Sequence, residues 1–275
     1  MPPIFPLEIE EIILDILGKD DEDHTALKTC SLVCKAFLPI CRKHIFGSIV
    51  LNPRDQDMVP PPSTHTTHAF ERLLRETPEI ADYIRKLDYT IRAEDLTSLS
   101  IQESLKRISR LEFLSLGHHN WLIGTTLYFD WSNNSIRPAL LHLLHLPTLT
   151  HFRLTAINDF VISDLIPCVN LKYLHTIGFL TVGAAETTFP GALPENSVQP
   201  NEFVAGTGTP IIELCTARRP DGRPIIDFGS LSKITVALQM PDEGEALQEL
   251  LRHCHVLTSV NISCKCYLHC DHRLL

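Results

Sequence analysis

The feature that most constrains the fold is a short apolar pattern that recurs from residue 84 onward. Each copy has the form apolar-x-x-apolar-x-apolar, which places alternate residues of a short strand on the same side. The copies are Ile84-Leu87-Tyr89, Leu111-Leu114-Leu116, Leu149-Phe152-Leu154, Leu171-Leu174-Thr176, Leu231-Ile234-Val236 and Leu257-Val260-Ile262. Helical or turn-like segments precede several of them, so the sequence predicts repeated units of helix, turn and short strand.

The spacing of the copies indicates an array of stacked units. Their first residues lie 27, 38, 22, 60 and 26 positions apart. Leucine-rich repeats have units of roughly 20–29 residues, so three intervals fit and the two longer ones require insertions. We predict the larger insertion at about residues 178–228, which are rich in Pro, Gly and Thr, with one helix near Ile211–Ala217. In such an array the parallel strands line a wall that binds partners.

The N-terminal residues show a helical pattern, with apolar side chains at spacings of three and four. Pro6 suits the first position of a helix, and Gly18 is expected to end that helix. Its apolar face comprises Leu7, Ile9, Ile12, Ile13, Ile16 and Leu17. A second helix carries Ala26, Leu27, Cys30, Val33, Cys34 and Phe37, and a third runs from about Pro39 to Phe46. Helices this short cannot bury so much apolar surface among themselves.

A segment rich in Pro, Ser and Thr marks the best internal boundary. Residues 52–68 read NPRDQDMVPPPSTHTTH, a composition typical of a loop or linker. We therefore predict a helical module at residues 1–51, a linker at 52–68, and a repeat array at 69–275.

Composition and charge argue against several classes of protein. The 275 residues carry a net charge of −9, whereas a nucleic-acid partner requires clustered Lys and Arg. Residues 1–23 hold one Lys and eight acidic side chains, unlike a signal or transit peptide. The sequence contains no apolar run of about 18 residues, so no membrane span is expected. Nine cysteines in apolar segments are typical of reduced thiols, and we expect a cytoplasmic or nuclear protein.

Two segments of the N-terminal stretch resemble an F-box motif. FPLEIEEIILDIL provides the Pro-containing start and the apolar first helix, with Phe5 where the family usually has leucine. SLVCKAFLPICRKHIF provides the second element, in which Val33, Cys34, Lys35 and Phe37 match a Val-Cys-basic-x-aromatic core. The sequence is similar to F-box proteins of mushroom-forming fungi, in which weak leucine-rich repeats follow the F-box. The F-box resemblance covers about one sixth of the chain.

This resemblance implies both a fold and a role. The fold is α/β, with a small N-terminal helical F-box followed by an irregular leucine-rich-repeat solenoid of short parallel strands. F-box proteins are substrate receptors of SCF-type cullin-RING ubiquitin ligases. Their F-box binds a Skp-family adaptor, and through it a cullin, while the C-terminal array binds the protein substrate. Such a receptor has no catalytic residue and no cofactor, and acts by proximity. The residues implied in adaptor binding are Pro6, Leu7, Ile9, Ile13, Ile16, Leu27, Leu32, Val33 and Phe37.

Two features of the sequence each have two possible interpretations. The N-terminal helices either dock onto a partner or merely cap the array, and in the second case the chain is a protein-binding scaffold without a ubiquitin role. An aromatic cluster either contacts the substrate or packs an inserted loop against the array. Its members are Trp121, Tyr128, Phe129 and Trp131.

The other residues that could bind a metal or take part in catalysis match no known motif. Four residues near the C terminus have side chains that bind zinc, but they lack paired C-x-x-C spacing and are expected to be free. They are Cys264, Cys266, Cys270 and His272. The pairs His65 and His68, His118 and His119, and Asp159 and Asp164 are expected in surface loops. We therefore predict neither a metal site nor enzymatic activity.

Overall fold

Eight parallel strands form an open sheet at the centre of the described part of the chain. The structure is a computed structural model, and it describes residues 7–20, 24–52, 66–118, 129–132, 134–177, 193–206, 209–238 and 243–264. The helices are α1 (Leu7–Asp20), α2 (Thr25–Val33), α3 (Leu38–Ile45), α4 (Thr66–Glu76), α5 (Leu99–Lys106), α6 (Arg137–Leu144), α7 (Ile211–Thr216) and α8 (Glu243–His253). The strands are β1 (Ser48–Leu51), β2 (Lys86–Ile91), β3 (Phe113–His118), β4 (Phe129–Asp130), β5 (His151–Thr155), β6 (Ile157–Asn158), β7 (Tyr173–Ile177), β8 (Glu202–Ala205), β9 (Lys233–Leu238) and β10 (Ser259–Cys264). Short 3₁₀ helices occupy Pro78–Asp82, Ala93–Thr97, Ile162–Leu165 and Phe228–Ser230.

The strands of the sheet follow one another in chain order. The order is β1-β2-β3-β5-β7-β8-β9-β10, and every neighbouring pair is parallel. Strands β4 and β6 form a separate two-stranded parallel sheet. Because parallel neighbours require a crossover connection, helices α4 to α8 lie between successive strands. The fold is therefore α/β, as the sequence predicts.

The repeated pattern places alternate strand residues in one continuous core. Leu87, Leu114 and Phe152 lie in register across β2, β3 and β5, and all three are fully buried. Burying a large apolar side chain contributes about 1.5–3 kcal/mol relative to leaving it exposed. The helices cover this core with Leu74, Leu105, Leu143, Leu214 and Leu250. The pattern thus predicts the strands correctly, and their inward side in every copy except the last, where Val260 and Ile262 of β10 are exposed.

One strand of the sheet lies inside the predicted insertion at residues 178–228. Phe203 of β8 lies in register between Leu174 and Ile234, so the interval of 60 residues contains an additional unit. Pro200, Phe203 and Ala205 have the spacing of the other copies, but Pro and Ala are poor strand residues and hide the pattern. The insertion is therefore shorter than predicted. Helix α7 confirms the helix expected in this region.

The first strand of the sheet comes before the predicted linker. Phe46, Ile49 and Leu51 carry the repeat spacing, and β1 pairs with β2 in the main sheet. The main sheet therefore begins before residue 51, earlier than the predicted boundary. Helix α4 starts at Thr66, within the predicted linker at 52–68, and residues 53–65 lie outside the described part of the chain.

The N-terminal helices have a small core of their own. Leu14, Leu27 and Cys41 are buried together, apart from the large core of the array. Partly buried side chains surround them, namely Leu17, Cys30, Phe37, Ile40 and Ile45. A core with so few fully buried residues leaves much of the apolar surface of these helices uncovered.

Candidate protein-binding surfaces

The first candidate surface is an apolar face of the N-terminal helices, which we call the helical face. It comprises Ile9, Ile12, Ile13 and Ile16 on α1 and Leu32 and Val33 at the end of α2. The four isoleucines are 42–55% exposed, and the two α2 residues are 74–88% exposed. The isoleucines follow the spacing i, i+3, i+4 and i+7, which forms one stripe along the helix. A stripe of large apolar side chains in contact with solvent is typical of an interface.

The helical face contains most, but not all, of the residues implied in adaptor binding. Leu27 is fully buried with Cys41 of α3, so it is a core residue and is not available to an adaptor. Phe37 is half-buried against the same small core. These positions correct the assignment of Leu27 and limit that of Phe37. Outside the described atoms lie Pro6 and the side chain of Leu7.

Polar contacts hold α1 against α3. His44 Nε2 lies 2.6 Å from Asp15 Oδ1, and Lys43 Nζ lies 3.4 Å from the same oxygen. The hydrogen bond with His44 holds the pKa of Asp15 below its usual value. A Cβ atom at Gly18 would lie 2.5 Å from the His44 ring, so the glycine allows the two helices to approach closely. Gly18 lies inside α1, and the expectation that it ends the helix is wrong.

The second candidate surface is the side of the sheet that faces away from the large core, which we call the open face. Phe113, His151 and Tyr173 form one row across β3, β5 and β7. The ring centroids of Phe113 and His151 are 6.2 Å apart, and those of His151 and Tyr173 are 5.5 Å apart. The neighbouring row, two residues further along the same strands, is Ser115, Arg153 and His175.

Arg153 is the central charge of the open face. It forms no ion pair with another described residue, and its Nε is buried without a hydrogen-bond partner. Burial and the charge of Arg153 lower the pKa of His175 to about 4, so the imidazole is neutral near pH 7. Burial raises the pKa of Tyr173, and the Glu202 carboxylate adds to this effect. Near pH 7, Arg153, which has no ion-pair partner among the described residues, thus lies beside the neutral imidazole of His175.

The aromatic cluster near residue 130 belongs to the core. Phe129 and Trp131 are buried, and the Trp131 ring centroid lies 4.9 Å from that of Phe160. Trp131 Nε1 donates a hydrogen bond to Asp164 Oδ2 at 2.7 Å, and Arg137 Nη2 donates to the same oxygen at 2.9 Å. Phe129 and Trp131 are therefore packing residues, which corrects their assignment as substrate contacts. Outside the described residues lie Trp121 and Tyr128.

Of the four residues considered for zinc binding, Cys264 is the one that lies within the described part of the chain. No group of three or more His, Cys, Asp or Glu side chains there could hold a metal ion. Cys264 is exposed at the end of β10. Outside the described residues lie Cys266, Cys270 and His272. Burial raises the pKa of Cys215 to about 12 and also raises that of Cys168, so both thiols are protonated at neutral pH.

Two of the residues expected in surface loops have structural positions instead. Asp164 is the shared acceptor of Trp131 and Arg137, and His118 is buried in β3. His68 lies on the surface of α4, where its Nδ1 is 3.2 Å from Glu71 Oε2.

None of the helices in the described ranges has the length and apolar character that a membrane span requires.

The open face was not among the sites predicted from the sequence, although the signal is present. In each repeat, the variable positions beside the apolar ones face away from the core. Aligning these positions across the copies brings His151 next to Phe113 and Tyr173, and Arg153 next to His175. The pattern of inward residues therefore also specifies the neighbours on the outward side.

Comparison with known proteins adds no assignment to either surface. The sequence matches no protein-family model, and no curated protein matches it significantly. The roles of the helical face and the open face are therefore argued from their residues, their exposure and their charge.

Proposed function

We propose that this protein is a substrate-receptor subunit of an SCF-type cullin-RING ubiquitin ligase. In this role the helical face binds a Skp-family adaptor, which links the receptor to a cullin, and the array binds a protein substrate. The observation that carries the proposal is the exposed apolar stripe of α1, formed by Ile9, Ile12, Ile13 and Ile16. It lies in the segment that resembles an F-box.

The energetics of the helical face support a partner. Complete burial of an isoleucine side chain is worth about 1.5–3 kcal/mol, and these side chains are only about half buried. A protein that covers the stripe would therefore gain roughly 1 kcal/mol for each isoleucine. The small core of the module gives the helices enough internal packing to present the stripe in a defined orientation.

The array supports the second half of the proposal. Parallel strands in chain order, with connecting segments over one core and an open opposite face, are the arrangement expected of a leucine-rich-repeat solenoid. Solenoids bind proteins along such faces because the exposed row of strands is extended and tolerates variation. In the proposed role the chain contributes no catalytic group and acts by holding the substrate near the ubiquitin carrier.

One observation favours the alternative of a scaffold whose N-terminal helices only cap the array. Helix α3 runs directly into β1, the edge strand of the sheet, which is where a cap belongs. A cap, however, buries its apolar residues against the first repeat. The exposure of Ile12 and Ile16 is difficult to reconcile with that role alone.

Adaptor binding by the full chain tests the proposal. The chain is co-expressed with a fungal Skp-family adaptor, and the affinity is measured by biolayer interferometry. We expect the double variant Ile13→Glu, Ile16→Glu to bind about 100-fold more weakly, equivalent to about 2.7 kcal/mol. The control is Ile212→Glu on α7, which places one such charge at an isoleucine that is 47% exposed outside the helical face.

The control should bind like the wild type, and circular dichroism should show that all three proteins are folded. If the folded wild-type chain does not bind the adaptor, the proposed function is refuted and the alternative of a protein-binding scaffold is favoured. Equal losses in the double variant and in Ile212→Glu would show that the helical face is not the contact.

A further inference from the structure

We propose that the open face binds an extended protein segment through an aspartate or glutamate side chain that pairs with Arg153. This inference rests on the proposed function, in which the array is the substrate-binding part, and it names the chemistry of the substrate segment. It commits to a carboxylate on a protein chain.

Strand β5 carries two buried polar atoms that no described residue satisfies. Arg153 Nε and Thr155 Oγ1 are both buried without hydrogen-bond partners among the described residues, and Thr155 is only 6% exposed. The two residues lie two positions apart, so they project from the same side of the strand. Buried polar groups in folded proteins nearly always have partners, and a guanidinium matches a carboxylate in geometry and charge.

The charges around Arg153 favour a ligand with a single negative charge. Arg153 is the cation of its row, since its neighbours Ser115 and His175 are uncharged near pH 7. Asp88 lies on β2 and Glu202 lies on β8, and each of these strands is two strands away from β5 in the sheet. The row of Arg153 holds this one cation and one carboxylate, Asp88, whereas Lys86, Lys233 and Glu202 lie in the aromatic row. One cation with a carboxylate in its row suits a monoanion better than a doubly charged phosphate.

The shape of the open face suits an extended segment. The aromatic row of Phe113, His151 and Tyr173 runs beside Arg153 across three strands. Strands lie about 4.8 Å apart, so the row is about 10 Å long, which matches roughly three residues of an extended chain. An extended segment can therefore place one side chain on Arg153 while its neighbours pack against the rings, which are suitable anchors for protein contacts.

Binding of defined peptide pools to the full-length protein tests the inference. Short fluorescent peptides with degenerate flanks carry a central glutamate, glutamine or phosphoserine, and fluorescence polarisation reports affinity without the adaptor. We expect the glutamate pool to bind about tenfold more tightly than the glutamine pool. Arg153→Gln should abolish this preference. Lys233→Gln, which removes an exposed cation from β9 on the same face, should retain it to within about twofold.

Each other outcome counts against the inference. Equal binding of the glutamate and glutamine pools, or no binding of either, would overturn it. So would a preference for phosphoserine over glutamate, or a glutamate preference that survives Arg153→Gln. The assay contains no adaptor, so its result is independent of adaptor binding by the helical face. A negative peptide result would not refute adaptor binding, and a failure of adaptor binding would not change the interpretation of the peptide result.

Discussion

Replacing Phe203 tests whether β8 is a structural unit of the array. The side chain is fully buried between Leu174 and Ile234 of the neighbouring strands, and its ring centroid lies 5.4 Å from that of Phe228. Phe203→Ala removes most of a large side chain from a site that strands on both sides hold in place, so the cavity cannot collapse easily. We expect a loss of about 3–5 kcal/mol in the free energy of unfolding.

Urea unfolding followed by circular dichroism measures this loss. The matched control is Val204→Ala, one residue away, because Val204 faces the opposite side of the sheet and is only partly buried. The control should cost less than about 1 kcal/mol. Because β8 lies between β7 and β9 in the sheet, its loss also separates these two strands. A loss below about 1 kcal/mol for Phe203→Ala would refute the placement of β8 inside the sheet.

Two further predictions concern the helical module and the open face. Gly18→Ala should destabilise the protein by about 1–3 kcal/mol, because the new methyl group meets the His44 ring, whereas Gly244→Ala in α8 meets no atom within 4 Å and should stabilise it slightly. Thermal unfolding of both variants checks this, and equal effects would contradict the close packing of α1 on α3. His175 should remain neutral down to a pH of about 4 in an NMR titration. Its folded pKa lies below the usual 6.5, so the unfolded chain takes up the proton first, and stability should fall as the pH drops from 6.5 towards 4. Arg153→Gln should raise this pKa, and a His175 that titrates near 6.5 would contradict its burial beside Arg153.

The repeat positions show how far apolar spacing predicts this fold. From residue 84 onward, spacing locates the strands in which Leu, Ile, Val or Phe fill the inward positions, as at Leu114 and Leu116. It does not locate β8, where Pro200 and Ala205 occupy two of the three positions. The environment between two regular strands, rather than intrinsic strand propensity, stabilises β8. Such an element is specified by its neighbours and is difficult to identify in isolation.

The candidate surfaces show a similar limit. Helical periodicity predicts that α1 is apolar on one side, but it does not distinguish Leu27, which packs on Cys41, from Val33, which faces solvent. Both residues are apolar and belong to α2, and only the position of α3 separates them. On the open face, Arg153 and His175 are distant in sequence, and their contact depends on strand register. Exposure and pairing are tertiary properties, which a one-dimensional pattern does not contain.

The connection between the two surfaces determines how a receptor of this kind would work. The helical module is joined to the array by β1 itself, and the carbonyl oxygen of Gly47 accepts hydrogen bonds from the backbone N–H groups of Arg85 and Lys86 at 3.0 and 2.9 Å. Arg42 adds an ion pair with Glu79 at 3.1 Å. Residues 53–65 follow β1, so they do not separate the helical face from the sheet. An adaptor on the helical face would therefore hold the open face in a fixed orientation. A fixed orientation concentrates the bound segment near one position of the ubiquitin carrier, whereas a flexible linker would spread it over a larger volume.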